Sequence, residues 1–107
     1  MITKGMEVEP VILDERLSRK VLSSVGELML VELTFKKGGV GAVHSHSDHE
    51  QVSYIVNGSF EITVGDEMIV AKAGDGYYAG KNVPHGVYAL EDGVLLDIFT
   101  PIRNDIL

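Results

Sequence analysis

Short runs of alternating apolar and polar residues fill this chain, broken every few positions by Gly, Asn or Asp, and none sustains a helical period. Residues 17–24 (LSRKVLSS) turn at Val25-Gly26 into residues 27–35 (ELMLVELTF), which stop at Lys37-Gly38-Gly39. Residues 51–56 (QVSYIV) run into Asn57-Gly58, a dipeptide suited to a two-residue hairpin because both positions tolerate positive φ. Residues 59–64 (SFEITV) form the return strand, and Gly65-Asp66 reverses the chain into residues 67–73 (EMIVAKA). Gly74-Asp75-Gly76 leads to Tyr77-Tyr78-Ala79, and Glu91-Asp92-Gly93 separates residues 87–90 (VYAL) from 94–99 (VLLDIF). The pattern predicts roughly seven or eight strands with a turn about every 8–12 residues, an antiparallel all-β sandwich or barrel.

The chain has 107 residues, 45% hydrophobic and 23% charged, which suits one packed domain over residues 1–107. A core of this size leaves apolar surface that a second copy would cover, so a homodimer is expected. The formal net charge is −7 and no run of Lys or Arg occurs, which argues against nucleic acid as a partner. It also means that an anionic ligand must be drawn in locally, by a metal ion or a placed arginine. The absence of cysteine excludes disulfides and thiolate zinc sites. The first 17 residues lack the apolar core of a signal peptide, and no apolar stretch nears the ~20 residues needed to span a bilayer, so the expected compartment is the cytoplasm.

Three of the four histidines, His44, His46 and His49, lie within six positions. His44 and His46 would leave the same face of an extended strand and could share one metal ion. His85, from a strand brought alongside, would close the site. Glu50 or Gln51 could add an oxygen from the next strand. Strict alternation groups Glu50 with the apolar Val52, Tyr54 and Val56, which favours Glu50 as the inward residue, and Gln51 with the more polar row Ser53, Ile55 and Asn57. Imidazole and oxygen donors without thiolate suit a divalent transition metal: Ni, Zn, Mn, Fe or Co. His49 has the wrong parity and reads as a rim residue.

Asp97 interrupts an apolar strand and shares its face with Leu95 and Phe99. Desolvation there would raise its pKa, which suits a general acid or base; a strand-end partner for a lysine or backbone amide is the structural alternative. Arg103 could hold a substrate carboxylate in bidentate fashion or lie at the surface near the terminus. One of Tyr77 and Tyr78 should point inward.

Gly38, His44, His46, Gln51 and Gly58, at that spacing, resemble the first cupin motif, with Gln where many cupins carry Glu. Ala73-Gly74-Asp75 followed by Pro84-His85-Gly86 resembles the second. The sequence at 79–82 (AGKN) departs from relatives that carry prolines there. The segments SRKVL (18–22) and NVPHGV (82–87) and the ending from Leu90 to Leu107 look like the small single-domain cupins of pectin and uronate degradation, the KdgF type. The resemblance implies a jelly-roll barrel, metal ligands at His44, His46, Gln51 and His85, a catalytic Asp97, and substrate contacts from Phe99 and Arg103. It further implies conversion of 4,5-unsaturated uronates, released by lyases, into linear 5-keto-4-deoxyuronates. An Fe-dependent dioxygenase and a non-catalytic sugar-binding cupin are the alternatives.

Overall fold

The computed structural model describes residues 1–107 and contains ten strands between two short 3-10 turns, Gly5–Glu7 and Asn104–Ile106. The strands are β1 (Val11–Asp14), β2 (Leu17–Val25), β3 (Leu28–Phe35), β4 (Val40–His44) and β5 (Glu50–Asn57). They continue with β6 (Ser59–Val64), β7 (Glu67–Lys72), β8 (Gly76–Ala79), β9 (His85–Ala89) and β10 (Gly93–Thr100). All pair antiparallel, in a six-stranded sheet of order β1-β2-β3-β10-β5-β8 and a four-stranded sheet of order β4-β9-β6-β7. This is an antiparallel all-β barrel, as expected from the turn-rich pattern, in the jelly-roll form that the resemblance implied. No helix is long and apolar enough to cross a membrane.

Two strands exceed the seven or eight expected, and both lack the alternation that announces a strand. β1 is exposed at all four positions on a sheet edge, and β4 is exposed at four of its five. β9 begins at His85, two residues before its apolar run.

The inner faces of both sheets share one core. Leu17, Phe35, Ile55 and Leu95 from the larger sheet meet Phe60, Ile62, Ala71 and Ala89 from the smaller. Phe35 and Phe60 pack edge to face, 5.2 Å between centroids, a geometry contributing about 0.5–1.5 kcal/mol beyond simple burial. Asn57-Gly58 turns the chain but makes no hairpin: β5 and β6 do not pair, and the chain crosses there from the larger sheet to the smaller. Gly58 has φ +85°, and a Cβ there would come within 2.7 Å of the Asp92 carbonyl, so this crossing between the sheets requires glycine.

β10 carries the transition from core to site. Its buried Leu95 lies opposite Ile55 of β5, Asp97 opposite Ser53, and Phe99 opposite Gln51. The same strand therefore supplies apolar packing at one end of the barrel and polar groups at the other.

Candidate metal centre

Strand pairing sets His44 directly opposite His85. The approach of β4 to β9 depends on Gly86: a Cβ there would lie 2.8 Å from Val43 Cγ2 and 3.2 Å from the Val43 backbone. β4 ends at His44, so His46 stands in the following loop and not on the strand face expected from its two-residue spacing. The loop is held from the far side, where the Asn82 N–H donates to the His46 carbonyl at 2.6 Å. Asn82 adopts φ +64°, a conformation asparagine tolerates better than most residues, so the departing AGKN segment buttresses the site.

The three rings converge: centroids are 4.7 Å apart for His44–His46, 4.5 Å for His44–His85 and 5.2 Å for His46–His85. One nitrogen from each lies within 4.8 Å of the others. His44 Nδ1 donates to the Ala42 carbonyl at 2.7 Å and His85 Nδ1 to the Val83 carbonyl at 3.0 Å. A carbonyl can only accept, so both rings keep the lone pair on Nε2, the arrangement that backs metal-binding imidazoles. Burial, then the neighbouring Arg103 and histidines, push His46 down to about 4, and burial also lowers His85.

Gln51, rather than Glu50, is turned into the barrel. Its side chain is buried, while Glu50 is turned outward, where its carboxylate accepts from the exposed Tyr78 hydroxyl at 3.0 Å. The alternation that favoured Glu50 is inverted: Val52, Tyr54 and Val56 are 49%, 45% and 42% exposed, and the polar row of Gln51 and Ser53 is inside. Gln51 Nε2 donates to Ser53 Oγ at 3.0 Å and to Asp97 Oδ1 at 3.1 Å, which fixes which end of the amide points where. Its Oε1 is left buried without a hydrogen-bond partner, as are His46 Nε2 and His85 Nε2. Three orphaned donor atoms of this kind are costly unless something accepts their lone pairs. Three imidazoles and an amide oxygen, with no thiolate, fit a divalent transition metal.

Asp97 lies on the inner face of β10 as expected, 8% exposed. Ser53 Oγ donates to its Oδ1 at 2.6 Å. Burial pushes the carboxyl up to about 6, against the Ser53 hydroxyl, the Arg103 and His44 charges and the Gln51 amide, which pull it down. The guanidinium of Arg103 sits 5.0 Å from the Phe99 ring centroid and forms two hydrogen bonds to Asp105, at 2.7 and 3.3 Å. A cavity of about 440 Å³ opens beside these groups; Arg19, Leu33, His44, Asp97, Phe99 and Arg103 line it. A second, polar hollow of about 570 Å³ lies over His46, His49 and Asp105.

Residues 31–99 match the family model of the cupin domain. The chain belongs to the cupin family. This cupin is 43% identical over 96 residues to the pectin degradation protein KdgF of Dickeya dadantii, which spans 89% of this chain and 87% of that protein. Its structure superposes on that of KdgF from Halomonas sp. with a TM-score of 0.96 at 32% identity, over 100% of this chain and 98% of the other. An RmlC-like cupin from Shewanella frigidimarina matches with a TM-score of 0.94 at 37% identity, over 99% and 95%. The cupin is thus KdgF-like in sequence and structure.

The remaining residues of interest fall as follows. His49 stands at the rim, its Nδ1 donating to the Pro101 carbonyl at 3.0 Å, its ring 5.8 Å from that of His46. Tyr77 points inward against the core, where burial and the Asp97 charge raise its pKa, and Tyr78 is 56% exposed outside. Ser53 and Arg19 carry no motif of their own. Their only sequence signal is a polar residue on an inward-facing row, between Gln51 and Ile55 for one and between Leu17 and Val21 for the other.

Proposed function

We propose that this cupin converts 4,5-unsaturated uronates, the products of pectin or alginate lyases, into linear 5-keto-4-deoxyuronates, using one divalent transition metal ion held by His44, His46, His85 and Gln51. The observation that carries the reading is the junction of Gln51 with Asp97, 3.1 Å apart, which joins a buried carboxyl to a donor set whose lone pairs are unclaimed. The likeness to a pectin degradation protein supplies the substrate class.

A bound metal ion would supply a Lewis acid that stabilises negative charge developing on a sugar oxygen. Its charge would be uncompensated, since Gln51 and the three histidines are neutral. The protein's own groups do the rest. The cavity walls take up the sugar, Phe99 packs against it, and Arg103, beside Phe99, contacts it from the same wall. Ring opening gives an enol, and Asp97 moves the proton that completes the ketone, delivering one to C4 as the enol hydroxyl gives one up. No atoms are gained or lost overall. Ser53 and Gln51 both bond the same oxygen, Oδ1, so Asp97 retains its second oxygen for this transfer.

The test is the decay of the ultraviolet absorbance of the conjugated C4–C5 double bond. Wild-type protein should accelerate it, and Asp97→Asn should lower the rate by about 10²–10⁴-fold while keeping its metal, the range typical of a lost acid/base group. His46→Ala should lose both metal and activity. Oxygen uptake with a phenolic substrate, without any effect on the unsaturated uronate, would point instead to a dioxygenase. Uronate binding without turnover would point to a binding cupin.

A further inference from the structure

Resting on the reading above, we propose that Arg19 is the residue that anchors the substrate carboxylate, a role no motif of the chain assigns to it. Arg19 lies on β2 between the inward-facing Leu17 and Val21 and lines the same cavity as His44, Asp97, Phe99 and Arg103. Arg19 and Arg103 are the only cations lining that cavity. They differ in what answers their charge. Arg103 is already engaged by Asp105 through two hydrogen bonds. Arg19 has no acidic partner: the chain's ion pairs are Arg16–Glu15 and Arg103–Asp105.

The Nε of Arg19 is buried and makes no hydrogen bond. A buried guanidinium donor without an acceptor is unfavourable, and a forked donor of this shape matches a carboxylate. The acidic groups in the cavity wall do not serve it. Asp97 accepts through Oδ1 from Ser53 and Gln51, and Asp14 accepts the Arg16 backbone N–H at 2.7 Å. A chain with a net charge of −7 repels anions at long range, so recognition of one must come from a local, uncompensated cation. Among the protein's own side chains, Arg19 is that cation.

The experiment measures binding of galacturonate, a saturated uronate that cannot ketonise, and of galactose, its neutral counterpart, to metal-loaded protein by calorimetry. Unsaturated uronate turnover is measured on the same samples. Wild type should prefer galacturonate to galactose, and Arg19→Met should weaken galacturonate by roughly ten- to hundredfold with galactose unchanged, the loss expected for a charged hydrogen-bonding partner. KM for the unsaturated uronate should rise in parallel. Arg19→Lys, which keeps the charge without the fork, should fall between the two and carries the test if the methionine variant does not melt cooperatively. A residue that only packs would leave the galacturonate-to-galactose ratio alone; that ratio unchanged in either folded variant, or absent in wild type, overturns the assignment. Wild type that shows the Arg19-dependent preference yet turns over no unsaturated uronate keeps the carboxylate anchor and sinks the ketonisation reading instead.

Discussion

Asp97 and Gln51 explain each other. The amide donates one way, to Asp97 and Ser53, and so leaves its oxygen buried and unpartnered. The 2.6 Å bond from Ser53 holds the carboxyl whose charge burial disfavours. Ser53→Ala removes that donor without touching a metal-binding atom. It should cost about 1–3 kcal/mol of stability by leaving Asp97 less satisfied, read as a lower denaturant midpoint at unchanged metal content. Gln51→Glu sets a second carboxylate against Asp97, at the 3.1 Å now spanned by the amide. It should keep its metal, since the oxygen ligand survives, and lose kcat, since the ion's charge is partly neutralised and Asp97 loses a donor; metal analysis beside single-turnover rates checks both halves.

Among the elements, the β2–β3 and β6–β7 hairpins were plain in the sequence, at Val25-Gly26 and Gly65-Asp66, whereas Asn57-Gly58 and Glu91-Asp92-Gly93 turn the chain from one sheet to the other, which local turn chemistry does not distinguish from a hairpin. Gly58→Ala is expected to lose about 1–3 kcal/mol, through positive φ and the close Asp92 carbonyl, with thermal melting as the measurement. β1 and β4 were not legible: one is a fully exposed edge, and the other holds its place through pairing with β9. The site was legible where it is local and hidden where topology makes it. His44 and His46 announce themselves by proximity, whereas His85 reaches them only through the β4–β9 register. Alternation misassigned the β5 face because apolar residues there point outward and the interior at that level is polar. Arg19 was invisible for a related reason: an isolated arginine in an amphipathic strand reads as solvent-facing until the sheet shows which side is in.

That outward face bears on the whole molecule. Val52, Tyr54 and Val56 of β5, Tyr78 of β8 and Ile98 of β10 are all exposed, and Val52 pairs directly with both Tyr78 and Ile98. The outward positions of β5 and β10 from Val52 to Val56 and from Val94 to Ile98 carry no charge. We propose that a second copy of the chain covers this face in an isologous dimer, since an apolar patch, with Glu50 bonded to Tyr78 at its edge, is complementary to itself. Sedimentation equilibrium should give a dimer for the wild type and a monomer for Tyr54→Lys; a monomeric wild type at working concentrations would refute it. The most direct measurement of metal-dependent ketonisation follows the C4–C5 absorbance of a lyase-generated unsaturated uronate with protein stripped by a chelator and then reloaded with a divalent transition metal. Stripped protein should give background decay, and acceleration should return at one ion per chain. Equal rates for stripped and reloaded protein, or background decay for both, would contradict it.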